Sequence, residues 1–194
     1  MTPEEVNKLI RERRSFFQGD YTGERVDDSI IEQMLENANW APTHKFTEPW
    51  RFIVFTGEGL KKLAEAQAEF YKEYTTNDNS FKEERYQNLL KKPMLSSHII
   101  VVGMKRDEKK SVPEIEEMGA VFCAVQNIYL TATAYGVGCY LSTGGITYFE
   151  GAQEVLGFDR DDKLIGFKHV GIPKAVIHTG KRNAIEEKVA WIRA

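Results

Sequence analysis

Arg13, Arg14 and Ser15 stand side by side near the start of the chain, and two guanidinium groups beside a hydroxyl make a phosphate-binding set. The planar guanidinium fork matches phosphate oxygens, and a serine adds a further donor. The same residues also suit a plain helix end, where cations offset the negative pole of the helix dipole. A second basic pair, Lys181 and Arg182, follows Gly180 near the far end. The two clusters either meet on one anion or stand apart as separate surface charges. Between them lies the loop Ala41-Pro42-Thr43-His44-Lys45-Phe46-Thr47-Glu48-Pro49-Trp50, with donors, acceptors and aromatic rings within a short span. Loops of this kind on a rigid scaffold often carry function. Read as a bare connection, it would contribute only Trp50 to the core.

Other chemistries find little support. The chain has no G-x-x-x-x-G-K-[ST] loop. Gly136-Val137-Gly138-Cys139-Tyr140-Leu141 is a partial G-x-G-x-x-G that lacks its third glycine and precedes a strand, whereas a dinucleotide fingerprint follows one. The histidines His44, His98, His169 and His178 show no ligand spacing, so no metal site is expected. His98 and His169 fall in apolar strand-like runs and read as hydrogen-bonded sheet residues. No Ser-His-Asp set is apparent, and no side-chain nucleophile is expected.

These residues need a scaffold. Thr2, Pro3 and Glu5 form a capping box for a first helix that runs into Arg13. Asp27 or Asp28 starts a second, with Ile30, Ile31, Met34, Leu35 and Ala38 on one face, and Pro42 ends it. Trp50 to Phe55, His98 to Val102, Cys139 to Ser142 and Leu164 to Gly171 read as strands. Charge-rich helices are expected over 59–74 and 80–91, the longest and least polar helix over 112–135, a short one over 148–156, and another ending near Trp191. Helices first, then strands parted by long helices, fit an α+β sandwich with a mainly antiparallel or mixed sheet.

Composition narrows the class. The chain has 194 residues, enough for one ordinary domain over 1–194. Its formal net charge is -3, with Lys and Arg scattered rather than striped, which argues against nucleic-acid binding. Cys123 and Cys139 form no Cys-x-x-Cys unit and read as reduced, partly buried thiols of a cytoplasmic protein. The acidic N-terminus lacks the basic, apolar pattern of a signal peptide. No charged residue separates Glu117 from Glu150, but Gln126, Asn127, Thr131 and Thr133 interrupt that run. It reads as a helix buried in protein, or between two copies, rather than as a membrane span.

In their order along the chain, these features resemble the nitroreductase-like FMN family, in its small single-domain branch. The resemblance rests on Arg13-Arg14-Ser15, Ala41-Pro42-Thr43-His44 leading to Glu48-Pro49-Trp50-Arg51-Phe52, and Gln126-Asn127. It continues through Ala134-Tyr135-Gly136-Val137-Gly138, Thr143-Gly144-Gly145, Leu164-Ile165-Gly166-Phe167, Gly171-Ile172-Pro173, Lys181-Arg182 and Glu186-Glu187-Lys188-Val189. It covers nearly the whole chain.

The resemblance implies a nitroreductase-type sandwich, a central mainly antiparallel sheet flanked by helices, forming a homodimer with FMN at the subunit interface. Arg13, Arg14 and Ser15 would hold the phosphate and ribityl end, completed by Lys181 and Arg182. His44 would lie beside the flavin from the partner subunit, and Leu141, Ser142, Thr143 and Gly144 would line the ring edge. NAD(P)H would donate electrons, and a small acceptor such as a nitroaromatic or quinone would take them in a ping-pong cycle. A different flavin- and oxygen-dependent reaction, or a non-enzymatic flavin-binding module, stays open beside this. The chain departs from many relatives at Phe46, where they carry Asn, and at Glu48, where they carry Gln. In such relatives those amides contact the flavin ring or ribityl chain. Glu48 would add negative charge near the cofactor unless paired or turned away.

Overall fold

The structure, a computed structural model, describes residues 2–77, 79–174 and 179–193, so His178 lies outside the described residues. The first helix, α1 (Pro3–Glu12), has the expected capping box: Thr2 Oγ1 accepts from the Glu5 amide at 3.3 Å and the Glu5 carboxylate accepts from the Thr2 amide at 2.7 Å. It stops at Arg13, so Arg13 and Arg14 leave the helix rather than continuing its solvated face. Asp27 caps α2 (Asp28–Asn39) by accepting from the Ser29 amide at 2.8 Å.

Four strands, β1 (Trp50–Thr56), β2 (His98–Met104), β3 (Gly138–Ser142) and β4 (Lys163–Gly171), form one fully antiparallel sheet in the order β1-β2-β4-β3. Strand β2 is buried along its whole length. Strand residues alternate between faces, so Ile100, Val102 and Met104 enter one core and Ile99 and Val101 the other. The first core is closed by α2, through Ile31, Met34 and Ala38, and by α5 (Glu114–Ala134), through Val121, Ala124, Val125 and Ile128. The second is closed by α3 (Glu58–Thr76), through Leu60, Leu63 and Tyr71, with α4 (Glu83–Lys91) packed on α3 and adding Tyr86 and Leu89 to its margin. The fold is thus the α+β sandwich expected.

The edge strand β3 is covered by the chain's own groups. The Phe16 amide donates to the Cys139 carbonyl at 3.2 Å, and the Leu141 amide donates to the Tyr129 hydroxyl at 2.8 Å. Gly166 lies against the Ser142 carbonyl at φ +155°, an approach that a Cβ would block.

Several boundaries differ from the sequence reading. The helix expected over 148–156 shrinks to α6 (Ala152–Val155), because Gly151 at φ 82° breaks the chain direction just before it. Among its described residues, the tail carries a 3-10 turn, Ile185–Lys188, with no buried residues, in place of the longer helix expected. The second charged helix starts at Glu83 rather than at 80. The thiols also part company: Cys139 is buried, but Cys123 is exposed on α5. No helix among the described residues is long and apolar enough to cross a membrane.

Candidate functional site

Leaving α1, the chain crosses the end of β3. Ser15 bridges Cys139 in parallel fashion, and the segment is then tied down by Tyr21. The buried Tyr21 hydroxyl donates to the carbonyls of Phe16 at 2.8 Å and His169 at 3.2 Å, and burial pushes its pKa well above the ordinary tyrosine value. The Thr22 amide donates to Ile172, and the Lys174 amide to Asp20, both at 2.8 Å. Residues 13–18 are therefore held along β3.

At one end of this track is a cleft of about 560 Å³ lined by Ile10, Arg11, Arg13, Arg14, Gln126, Gly180 and Arg182. Among the described residues, four guanidinium groups and no carboxylate line it. The two basic clusters from opposite ends of the sequence do meet here, through Arg182; Lys181 is exposed beside it and does not line the cleft. Arg14 is clamped: its Nη1 donates to the carbonyls of Arg11 at 2.5 Å and Arg13 at 2.8 Å, and Gly180 packs directly on the guanidinium. The Arg13 guanidinium lies 5.1 Å from the centre of the Tyr129 ring.

At the other end is a cavity of about 390 Å³, within the range of small-molecule sites. Gln18, Lys92, Ser142, Gly144 and His169 are among its walls, with Lys82, Arg85 and Asn88 from the α4 region. The Ser142 hydroxyl accepts from the Gly144 amide at 3.4 Å. From Cys139 to Ser142 is three residues of strand, roughly 10 Å at about 3.3 Å each. A larger cleft of about 760 Å³ around Tyr148 and Arg160 mixes charges of both signs and contains none of the sequence candidates. Leu141 packs against the core on the α5 side, and Thr143 is exposed and outside the cavity.

His44 stands elsewhere. Its Nδ1 pairs with the Glu116 carboxylate at 2.6 Å, near the start of α5, whereas Gln126 of the arginine cleft and Tyr129 beneath Arg13 lie ten or more residues further along. At 1.5 Å per helical residue that is roughly 15–20 Å, beyond the reach of a histidine. Its loop is conformationally unusual, with Lys45, Phe46 and Glu48 all at positive φ, each conformation costing about 1–2 kcal/mol in a residue other than glycine. Phe46 is 88% exposed, and Glu48 is exposed as well.

Two functional-looking residues escaped the sequence reading. Tyr129 binds the Leu141 amide, interacts with the Ser15 side chain and stacks under Arg13, so it joins both ends of the track. Lys168, on β4, is fully buried. Its Nζ lies against the Tyr129 ring, and beyond that ring face the acceptor near it among the described residues is the Cys139 thiol, a weak one. The signal for it was present: one lysine inside the otherwise apolar run Leu164-Ile165-Gly166-Phe167-Lys168.

Residues 10–172 match the family model described as the Nitroreductase family. The chain belongs to this family. It is 28% identical over 184 residues to YfhC of Bacillus subtilis, whose name assigns it provisionally to the NAD(P)H nitroreductases; the match covers 94% of this chain and 92% of that one. Among solved structures, the nitroreductase-like family protein of Bacillus cereus superposes with TM-score 0.84 at 30% identity, covering 100% of this chain and 99% of the other. A nitroreductase of Desulfovibrio desulfuricans, solved in complex with FMN, gives TM-score 0.70 at 24% identity over 100% and 98% of the two chains. Nitroreductase is thus the fold as well as the family of this chain.

Proposed function

We propose that this nitroreductase-family chain is an FMN-dependent oxidoreductase that passes electrons from NAD(P)H to a small acceptor, such as a nitroaromatic or quinone, in a ping-pong cycle. The observation that carries the reading is the carboxylate-free four-arginine cleft, joined by about 10 Å of strand edge to a ring-sized cavity. An anionic head and a flat ring linked by a short chain fit that arrangement. The FMN bound to the Desulfovibrio desulfuricans relative, and the NAD(P)H in the name of YfhC, support the choice of cofactor and donor.

In this reading Arg13, Arg14 and Ser15 hold the phosphate and start of the ribityl chain, Arg182 closes the cleft over it, and Lys181 adds positive charge from outside the cleft. Ser142 and Gly144 line the ring edge from the cavity wall, with Leu141 and Thr143 flanking them along the chain. The flavin, when bound, supplies the electron-accepting chemistry. The chain's own residues orient the ring, exclude water and place positive charge near it. Lys92 at the cavity wall is such a charge. His44 serves the site of a second copy, since within one chain it stands a helix length from the arginines. Apolar side chains left exposed on and near α5, namely Ile115, Phe122, Tyr135, Trp40 and Phe46, form the face for a homodimer. The whole of 1–194 acts as one cytoplasmic unit, without nucleic acid or membrane.

Anaerobic mixing with NADH or NADPH tests the reading. Expected is bleaching of the bound flavin by at least one of them and return of colour on adding a nitroarene, with parallel double-reciprocal plots in steady state. A flavin left oxidised by both donors would overturn the assignment.

A further inference from the structure

Burial of an amine without a strong partner is costly, and proteins avoid it unless something completes the site. Lys168 is such an amine. It sits on the central strand β4, opposite Ile100 of β2 and Leu141 of β3, and points into the α5 side of the sheet. The charged and titratable groups facing it are Arg13 from the end of α1, Tyr129 from α5 and Cys139 from β3; Tyr21 lies one step further, interacting with both Tyr129 and Cys139. None is a carboxylate. A thiol is a weak acceptor and a ring face a partial one.

We infer that Lys168 is a concealed cation of the anion cleft, which takes up a proton when a phosphate monoester is held at Arg13 and Ser15. The inference rests on the reading that the FMN phosphate occupies that cleft. Arg13 couples the two places, because its guanidinium stacks on the same Tyr129 ring that Lys168 touches. With the cleft empty, Arg13 is an uncompensated neighbouring charge and disfavours the ammonium form. A dianion on Arg13 reverses that field in a low-dielectric setting. The proton comes from solvent to Nζ, and no bond of the ligand changes. Desolvation by burial, with Arg13 adding to it and Cys139 offsetting part, pushes the Lys168 amine down to about 7 from an ordinary 10.5. It is therefore largely neutral just above neutral pH and free to accept a proton there.

The test is calorimetric titration of flavin-free protein with FMN in two buffers of different ionisation enthalpy, between about pH 7.5 and 9, where a phosphate monoester (second pKa about 6) is already dianionic. Riboflavin and inorganic phosphate serve as further probes. Expected is uptake of a substantial fraction of one proton with FMN and with phosphate, and none with riboflavin. FMN affinity of the holoprotein, read from flavin released on dilution, falls with rising pH by up to about tenfold per unit, the limit for one linked proton. Lys168→Met should bind FMN without uptake and with a flat pH profile. FMN binding without proton uptake in the unaltered protein, or equal uptake by Lys168→Met, overturns the inference and leaves the cofactor reading intact. Failure of FMN and phosphate to bind at all overturns both.

Discussion

Gly180 lies against the guanidinium of Arg14, so closely that a Cβ at that position would overlap it. The contact joins the two ends of the chain over the arginine cleft, and it gives Gly180 a reason to be glycine that has nothing to do with turn formation.

Substitution at either partner should loosen the phosphate. Charge-assisted hydrogen bonds contribute roughly 1.5–3 kcal/mol each. Arg14→Ala should therefore weaken FMN binding at least about tenfold, since about 1.4 kcal/mol is a factor of ten. Gly180→Ala, which displaces Arg14 without deleting it, should weaken binding in the same direction. Riboflavin, lacking the phosphate, should bind both variants as it binds the unaltered protein. Fluorescence titration measures all three, and unchanged FMN affinity in Arg14→Ala would remove the phosphate assignment.

The dimer is tested through the exposed apolar face. Phe122 is 46% exposed and sits on α5, which also carries the exposed Ile115. Obligate dimer interfaces resemble a protein core cut in half, and ligands shared across one stabilise it by linkage. Phe122→Asp should yield monomers at low micromolar concentration and release flavin in parallel. Light scattering with absorbance detection follows both. A monomer mass for the unaltered protein with flavin still bound would defeat the shared site.

Glu48 belongs to the same cross-subunit proposal. Its side chain is exposed in one chain, while its carbonyl accepts from Arg51 at 2.8 Å and its amide donates to Thr43 Oγ1 at 3.1 Å. If a partner's loop brings the carboxylate near the flavin, it disfavours electron uptake by a like-charge effect. Glu48→Gln should raise the midpoint potential. Redox titration giving an equal or lower midpoint in the variant would rule the effect out.

Lys168 also sets a stability profile. In the unfolded chain it is an ordinary lysine, whereas in the native protein burial pushes it down to about 7. Between about 7 and 10.5 the unfolded state binds more protons, so this residue makes stability rise with pH through that window. Its penalty is complete below about 7. Lys168→Met should stabilise the flavin-free protein by a few kcal/mol more near the acid end of the window than near the alkaline end, at about 1.4 kcal/mol per unit. His169 acts at lower pH: burial pushes it down to about 4 from 6.5, so stability is lost as pH falls across that interval. Thermal melts of both forms across pH check the signs, and a pH-independent difference would contradict the placement of Lys168.

The layers of this fold were legible because their signals are local. The capping box at Thr2, the periodic apolar face from Ile31 to Ala38 and the β-branched run of β2 each declare an element within a few residues. The meeting of Arg13 and Arg14 with Arg182 was legible only as one of two alternatives, because spacing along the chain does not report distance across it. Tyr129 was passed over for a related reason. On an apolar helix a tyrosine looks like core, and its hydroxyl gains a role only when β3 brings the Leu141 amide to it. Lys168 was readable in principle, as a charge inside a buried strand. Its significance depends on the absence of a carboxylate near it among the described residues, which emerges only from packing. The tail helix failed because its sequence pattern has no surface in this chain to pack against.

The central claim is that this chain carries FMN by its phosphate, and the visible spectrum of the purified protein with identification of the released chromophore tests it most directly. The expected result is an oxidised-flavin spectrum, FMN rather than riboflavin on release, and loss of that chromophore in Arg14→Ala. A colourless protein that stays colourless after incubation with excess FMN would contradict it.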